Sequence, residues 1–303
     1  MFEKNERLLE VACSIPRATT TNSILDSKHI SPTIYNNTNK KYDIKLVECG
    51  DFIQLYLYET KKIRKTKDKD FDLELKKQKI NNMFDSVADN TIKESQKFSN
   101  EIEQRSIIRS KLECQRLAKA NVKDWETFIT LTFEENVSDV SSANKRFRYF
   151  VDKVRRIKKD FKYICITEFQ KRGAIHYHLL TNVSINDKKL MYEQKDNPKF
   201  KHIKYWLEGF TSVEIIKGDS KKIVGYISKY MTKDIDNRLF NKHRYFYSQN
   251  LIKPQESFID IENEQENNYY IKKIQDKDLI YQNEYINPYD NTKVTFLEFS
   301  NKS

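Results

Sequence analysis

The chain has little of what several large protein classes require. No stretch approaches the ~20 apolar residues of a membrane span, and Met1 to Arg17 lack the basic start and apolar run of a secretory signal. Both absences point to an intracellular, cytoplasmic protein with no membrane partner. Cysteine is sparse: Cys13, Cys49, Cys114 and Cys165 are scattered, with no pair at metal-knuckle spacing. That excludes a disulfide framework and a cysteine-type zinc site. Histidine is sparse as well, at five in 303 residues. Charge is plentiful. Charged residues make up 33% of the chain against 38% hydrophobic, and 55 Lys and Arg exceed 44 Asp and Glu for a net charge of +11. Such a balance favours a polyanionic partner. The length suits one large domain or two ordinary ones and excludes neither an enzyme nor a binding module.

Composition and periodicity divide the chain into four segments. Residues 1–45, rich in Thr, Ser, Asn and Lys, are expected to form a flexible N-terminal arm, because their isolated apolar positions cannot offset the entropy of ordering. Residues 46–123 form an accessory region. It holds a satellite strand over Asp51 to Glu59, a charge-dense run from Lys61 to Lys79, and a helix entered through the Asn100 and Glu103 capping box and reaching Ala120. On that helix Arg105, Arg109 and Arg116 are expected to be exposed, as a solvated face or as phosphate contacts. Residues 124–254 carry the strongest signals. Trp125 to Phe133 reads as a strand, and Asn144 to Asp160 as a helix with a Phe147, Phe150, Val151, Val154, Ile157 stripe. Tyr163 to Phe169 and Ala174 to Val183 read as a hairpin, Phe210 to Ile216 as a strand and Ser220 to Lys233 as a helix. Residues 255–303 are a C-terminal extension, a cap or an oligomer contact. The order implies an α+β fold: a central antiparallel sheet with helices packed on one face.

His176 and His178 flank Tyr177 within a predicted strand, and alternation puts both imidazoles on one face. By itself the pair is equally well an exposed polar face. If Lys171, Arg172 and Gly173 form a three-residue loop with Gly173 left-handed, Gln170 pairs with Ala174 and Glu168 lies across from His176. Two imidazoles and one carboxylate then converge as a metal site with open positions. A two-residue loop would turn Glu168 to the opposite face, and Glu168 could instead be a surface carboxylate paired with Lys171 or Arg172. A third constellation is Gly225 to Lys233. On a helix Tyr226 and Tyr230 are stacked four apart, with Lys229 on the same side. A plain aromatic stripe has the same pattern, and Tyr281, Tyr285 and Tyr289 repeat it. His202, near Trp206, is expected to be a packing or loop residue. The three constellations are joined by one reaction. A phenol with a free pKa of ~10 is a poor nucleophile, but it can attack a phosphodiester whose oxygen is polarised by a divalent cation. Lys229 would balance phosphate or tyrosinate charge.

At these motifs the sequence resembles the HUH endonucleases, in particular the rolling-circle replication initiators of bacterial plasmids and phages. The likeness is carried by Phe128-Ile129-Thr130-Leu131-Thr132-Phe133, His176-Tyr177-His178 and Gly225-Tyr226-Ile227-Ser228-Lys229-Tyr230, and covers about Trp125 to Pro254. It implies His176, His178 and Glu168 as ligands of Mg²⁺ or Mn²⁺. By motif position Tyr226 is implied as first-choice nucleophile, with Tyr230 for a second transfer. The expected DNA contacts are Lys171, Arg172 and Lys233. The partners it implies are origin DNA, single-stranded or hairpin, and a host helicase, since nothing in the chain resembles a P-loop. A relaxase or tyrosine transposase would use the same chemistry. A non-catalytic nucleic-acid-binding regulator is the reading from a different class, to which the stretch Lys242 to Tyr247 is suited.

Overall fold

A computed structural model describes residues 40–64, 91–194, 197–216, 223, 225–227, 229–230, 244–287 and 290–301. The fold is α+β, with antiparallel sheets and few helices. The first sheet is formed by β3 (Thr127–Thr132), β4 (Tyr163–Phe169), β5 (Ile175–Thr181), β8 (Thr211–Ile215) and β9 (Tyr245–Tyr247), in the order β8-β3-β5-β4-β9. A separate ribbon pairs β6 (Met191–Gln194) with β7 (Asn197–Ile203).

The strands follow the expected alternation. Tyr163, Cys165, Ile175, Tyr177 and Leu179 turn to one face and bury against α2 (Val140–Ile157). α2 begins where the Asp139 carboxylate accepts a hydrogen bond from the Ser142 amide at 2.6 Å, an N-cap that satisfies one otherwise unpaired donor. Its Phe147, Phe150, Val151 and Val154 form the buried stripe, each large side chain contributing about 1.5–3 kcal/mol relative to exposure. Arg155 and Arg156 occupy its last turn, where the helix dipole favours cations. The other face carries Phe128, Ile164, Ile166 and Leu180, which pack with Cys114, Leu117 and Ala118 of α1 (Thr91–Ala120). α1 starts well ahead of the Asn100 capping signal. Its end is fixed by Trp125, whose indole donates to the Ala118 carbonyl at 2.9 Å, and by Asn121, which bonds the Leu117 carbonyl and both backbone groups of Ile252.

Lys41–Cys49 (β1) and Phe52–Ile63 (β2) are not a satellite. With Gln255–Ile259 (β10), Lys277–Ile286 (β11) and Lys293–Asn301 (β12) they form a second five-stranded sheet in the order β10-β1-β2-β12-β11. β1 begins inside the stretch assigned to the arm, and β2 takes in Lys61 and Lys62 of the charge-dense run; residues 65–79 of that run lie outside the described residues. The segments join because each is apolar on only one face. Ile44, Leu46, Leu55, Leu57, Ile259, Leu297 and Phe299 close a common core with Tyr270 and Ile274 of α3 (Glu264–Ile274). Tyr281 and Tyr285, at helical spacing in the sequence, lie in strand β11.

α1 couples the sheets through a buried polar network. Lys119 Nζ donates to both Glu298 oxygens at 2.6 Å, and Gln54 donates to Glu298 Oε2 at 2.7 Å. Arg116 donates to Gln54 Oε1 and to the Tyr56 hydroxyl, both at 2.8 Å. Arg116, expected on a solvated face, is 7% exposed: the second sheet, which the sequence separates by long intervals, covers it. Cys49, Cys114 and Cys165 are free and buried, and burial pushes the Cys49 thiol up to about 12.

Glu298→Ala would leave Lys119 as an unpaired buried cation, and the expected loss is about 3–5 kcal/mol in urea unfolding. Replacing both partners with Lys119→Met and Glu298→Leu should cost much less. Equal losses in the single and double variants would refute the network's role.

Candidate active site

The site is built from a strand pairing. The Gln170 amide donates to the Ala174 carbonyl and the Gly173 amide to the Gln170 carbonyl, both at 2.8 Å, and Gly173 has φ of 90°. The loop therefore consists of Lys171, Arg172 and Gly173, with the left-handed residue in last place. β4 and β5 pair with Glu168 opposite His176 and Ile166 opposite His178. Strand alternation then puts Glu168, His176 and His178 on the sheet face away from α2. Tyr177 points the other way, is fully buried, and donates from its hydroxyl to Asn144 at 2.7 Å. Burial holds its phenol well above the usual tyrosine range, so Tyr177 pins β5 to α2.

His178 is 4% exposed and lies between two oxygens. Its Nε2 is 2.6 Å from Glu168 Oε2 and its Nδ1 3.1 Å from Thr130 Oγ1. Thr130 is the β3 residue paired with His178, so the sheet register itself orients the imidazole. The carboxylate of Glu168 is turned to His178 rather than forming only a surface pair. The His176 and His178 ring centroids are 6.0 Å apart. Two imidazoles and a carboxylate are a donor set suited to a divalent cation with positions left open. In the present arrangement Glu168 bonds His178, and among the described residues no three His, Cys, Asp or Glu side chains already form a ligand cage.

The tyrosine segment packs on this same face. Residues 223, 225–227 and 229–230 are helical, and Ile223 and Ile227 are buried against Phe128, Ile164 and Ile166. The Tyr230 ring stacks on His178 at a centroid distance of 3.7 Å and an interplanar angle of 20°. The Tyr226 ring stacks on Phe128 at 4.2 Å. The spacing of four residues puts both rings on one side of the segment. Lys229 Nζ lies 5.1 Å from the Tyr230 ring centroid. A cavity of about 660 Å³ opens beside them, lined among others by Glu168, His176, His178, Tyr230, Lys171 and Arg172. Arg172 is anchored there, donating to the Phe133 carbonyl at 2.6 Å and to the Glu134 carbonyl at 3.3 Å.

Of the residues singled out in the sequence, Glu168, His176, His178, Tyr230, Lys171 and Arg172 meet at this cavity, with Lys229 beside Tyr230. Tyr226 lies one ring further away, behind Phe128, and its hydroxyl donates to the Glu214 carboxylate. Lys233, and Lys242 and His243 of the aromatic-basic stretch, lie outside the described residues. His202 is a buried packing residue, bonded to Thr211 and stacked on Tyr192. Sequence reasoning missed Thr130, Phe128 and Glu214. The first two sit on one face of a strand already recognised, so the pairing of β3 with β5 would have revealed them. Glu214 carries no local signal.

Residues 126–235 match the family model described as replication-associated protein of the ORF2 and gene II protein type. Over 128 residues the chain is 31% identical to the Phasyl DNA replicon protein arp of Escherichia coli, a match that covers 37% of this chain and 44% of that protein. The chain thus spans less than half the length of that relative. No solved structure matches it significantly. The matched segment contains the hairpin, the histidines and both tyrosines, and the two matches support a replication-associated protein of the initiator type.

Gly173→Val would force a branched residue into left-handed backbone, with an expected loss of about 1–2 kcal/mol in thermal or urea unfolding. Gly173→Asn, which tolerates that conformation, should lose less. Equal losses would mean that the loop conformation does not fix the register.

Proposed function

We propose that the chain is a replication initiator that nicks origin DNA in the cytoplasm and rejoins strands in rolling-circle replication of a plasmid or phage. A tyrosine hydroxyl attacks a phosphodiester of single-stranded or hairpin origin DNA, the Oη–P bond forms, the P–O3′ bond breaks, and a 5′-phosphotyrosine link remains. The observation that carries this reading is the stacking of Tyr230 on His178 beside a cavity lined by Lys171 and Arg172. It brings a nucleophile type, a metal-ligand type and phosphate-binding cations to one point.

Each side chain has a task in this reading. Arg172, held by two backbone carbonyls, offers a fixed charge to a phosphate, and Lys171 a mobile one. Thr130 and Glu168 orient His178. Lys229 offsets the charge of the phosphate or of the phenolate. His176, His178 and Glu168 would hold Mg²⁺ or Mn²⁺, which when bound would polarise a non-bridging phosphate oxygen. The stored phosphotyrosine bond lets a 3′-hydroxyl reverse the step, so strands are rejoined without another energy source. A host helicase would separate the strands.

The test uses labelled single-stranded oligonucleotides tiling the replicon that encodes the chain, with Mn²⁺ added. An adduct that survives denaturation is expected, and His176→Ala or His178→Ala should abolish it while salt-sensitive binding persists. Binding without any adduct would instead identify a regulator, and cleavage unaffected by chelation would overturn the ligand assignment.

A further inference from the structure

Tyr226 and Tyr230 share one face of the helical segment, yet their surroundings differ in charge. Tyr230 lines the cavity together with Lys171 and Arg172, and Lys229 Nζ is 5.1 Å from its ring centroid. Tyr226 instead donates its hydroxyl hydrogen to the carboxylate of Glu214, on β8. The ring of Phe128 stands between Tyr226 and His178, with centroids 4.2 Å from the former and 5.8 Å from the latter. Glu214 is placed there by pairing: it lies opposite Phe128 in the β3–β8 ladder, so the strand carrying the stacking platform also brings the carboxylate to the phenol.

A phosphodiester is an anion. The carboxylate at Tyr226 repels it and holds the hydroxyl hydrogen in a charge-assisted bond, while the cations around Tyr230 attract it. Resting on the nicking reading above, we propose that Glu214 is a positioning residue that holds Tyr226 in reserve, so that Tyr230 makes the first attack and Tyr226 the second. In the first transfer Tyr230 Oη bonds to phosphorus, the P–O3′ bond breaks, the phenol proton passes to water, and the 3′ oxygen leaves as a hydroxyl after taking a proton from water. The second transfer has the same balance at Tyr226, once the arriving phosphate has displaced the Glu214 hydrogen bond. Motif position favours Tyr226 for the first step; ring stacking and local charge favour Tyr230.

The experiment maps the covalent adduct by peptide mass spectrometry in three proteins: the unaltered chain, Tyr230→Phe, and Tyr230→Phe combined with Glu214→Gln. The probes are the tiling oligonucleotides with Mn²⁺. The unaltered chain should carry its first adduct on Tyr230, and Tyr230→Phe should lower the yield about tenfold or more. Adding Glu214→Gln should then raise the yield severalfold, all of it on Tyr226, a gain that loss of a merely structural contact would not produce. A first adduct on Tyr226 in the unaltered chain, or no gain from Glu214→Gln, overturns the proposal and leaves the nicking reading intact. No adduct in the unaltered chain overturns both.

Discussion

The site depends on the register of the β4–β5 hairpin. Because side chains alternate along a strand, a slip of one residue would send Glu168 to the α2 face and leave the histidines without their carboxylate. Gly173, at φ of 90°, closes a loop of the length that prevents this slip. The same pairing aligns Thr130 of β3 with His178, so one imidazole is held from both neighbouring strands. β5 can carry the histidine pair because its alternate residues, Ile175, Tyr177 and Leu179, are buried against α2.

The opposite face of the first sheet would be an apolar surface without α1 and the tyrosine segment. Both cover it, and the aromatic rings form a continuous stack through Tyr226, Phe128, Tyr230 and His178. Stacked rings are worth about 0.5–1.5 kcal/mol per pair beyond the area they bury, so this packing positions the phenols as well as stabilising the segment. Catalysis and packing therefore compete for the same surfaces. Glu168 is bonded to His178 and Tyr226 to Glu214, and each would have to exchange a partner on binding DNA or metal.

The second sheet stands apart from this chemistry but is tied to it by α1. Leu117 and Ala118 pack against the first sheet while Arg116 and Lys119 enter the polar network of the second. Among the described residues, cations on that sheet are tied to acids: Lys45 to Glu256, Lys62 to Asp290 and Lys293 to Glu284. The net charge of +11 therefore does not spread evenly, and exposed cations such as Lys171 on the hairpin loop count for more in meeting a polyanion.

The sequence by itself determined the strands and helix of the first sheet to within a few residues, because each has a strong period: alternation in Tyr163 to Phe169, a helical stripe in Phe147 to Val154. It also determined the loop of Gly173 and hence the face shared by Glu168, His176 and His178, since these are effects of chain geometry over about ten residues. Only the tertiary structure decided which strands join the second sheet, why Arg116 is buried, and that Tyr226 faces Glu214 while Tyr230 faces His178. Those outcomes rest on surfaces meeting across long stretches of chain: Gln54 and Glu298 are 244 residues apart. No local period encodes which half-buried face will cover another, because that choice belongs to the packing of the whole core.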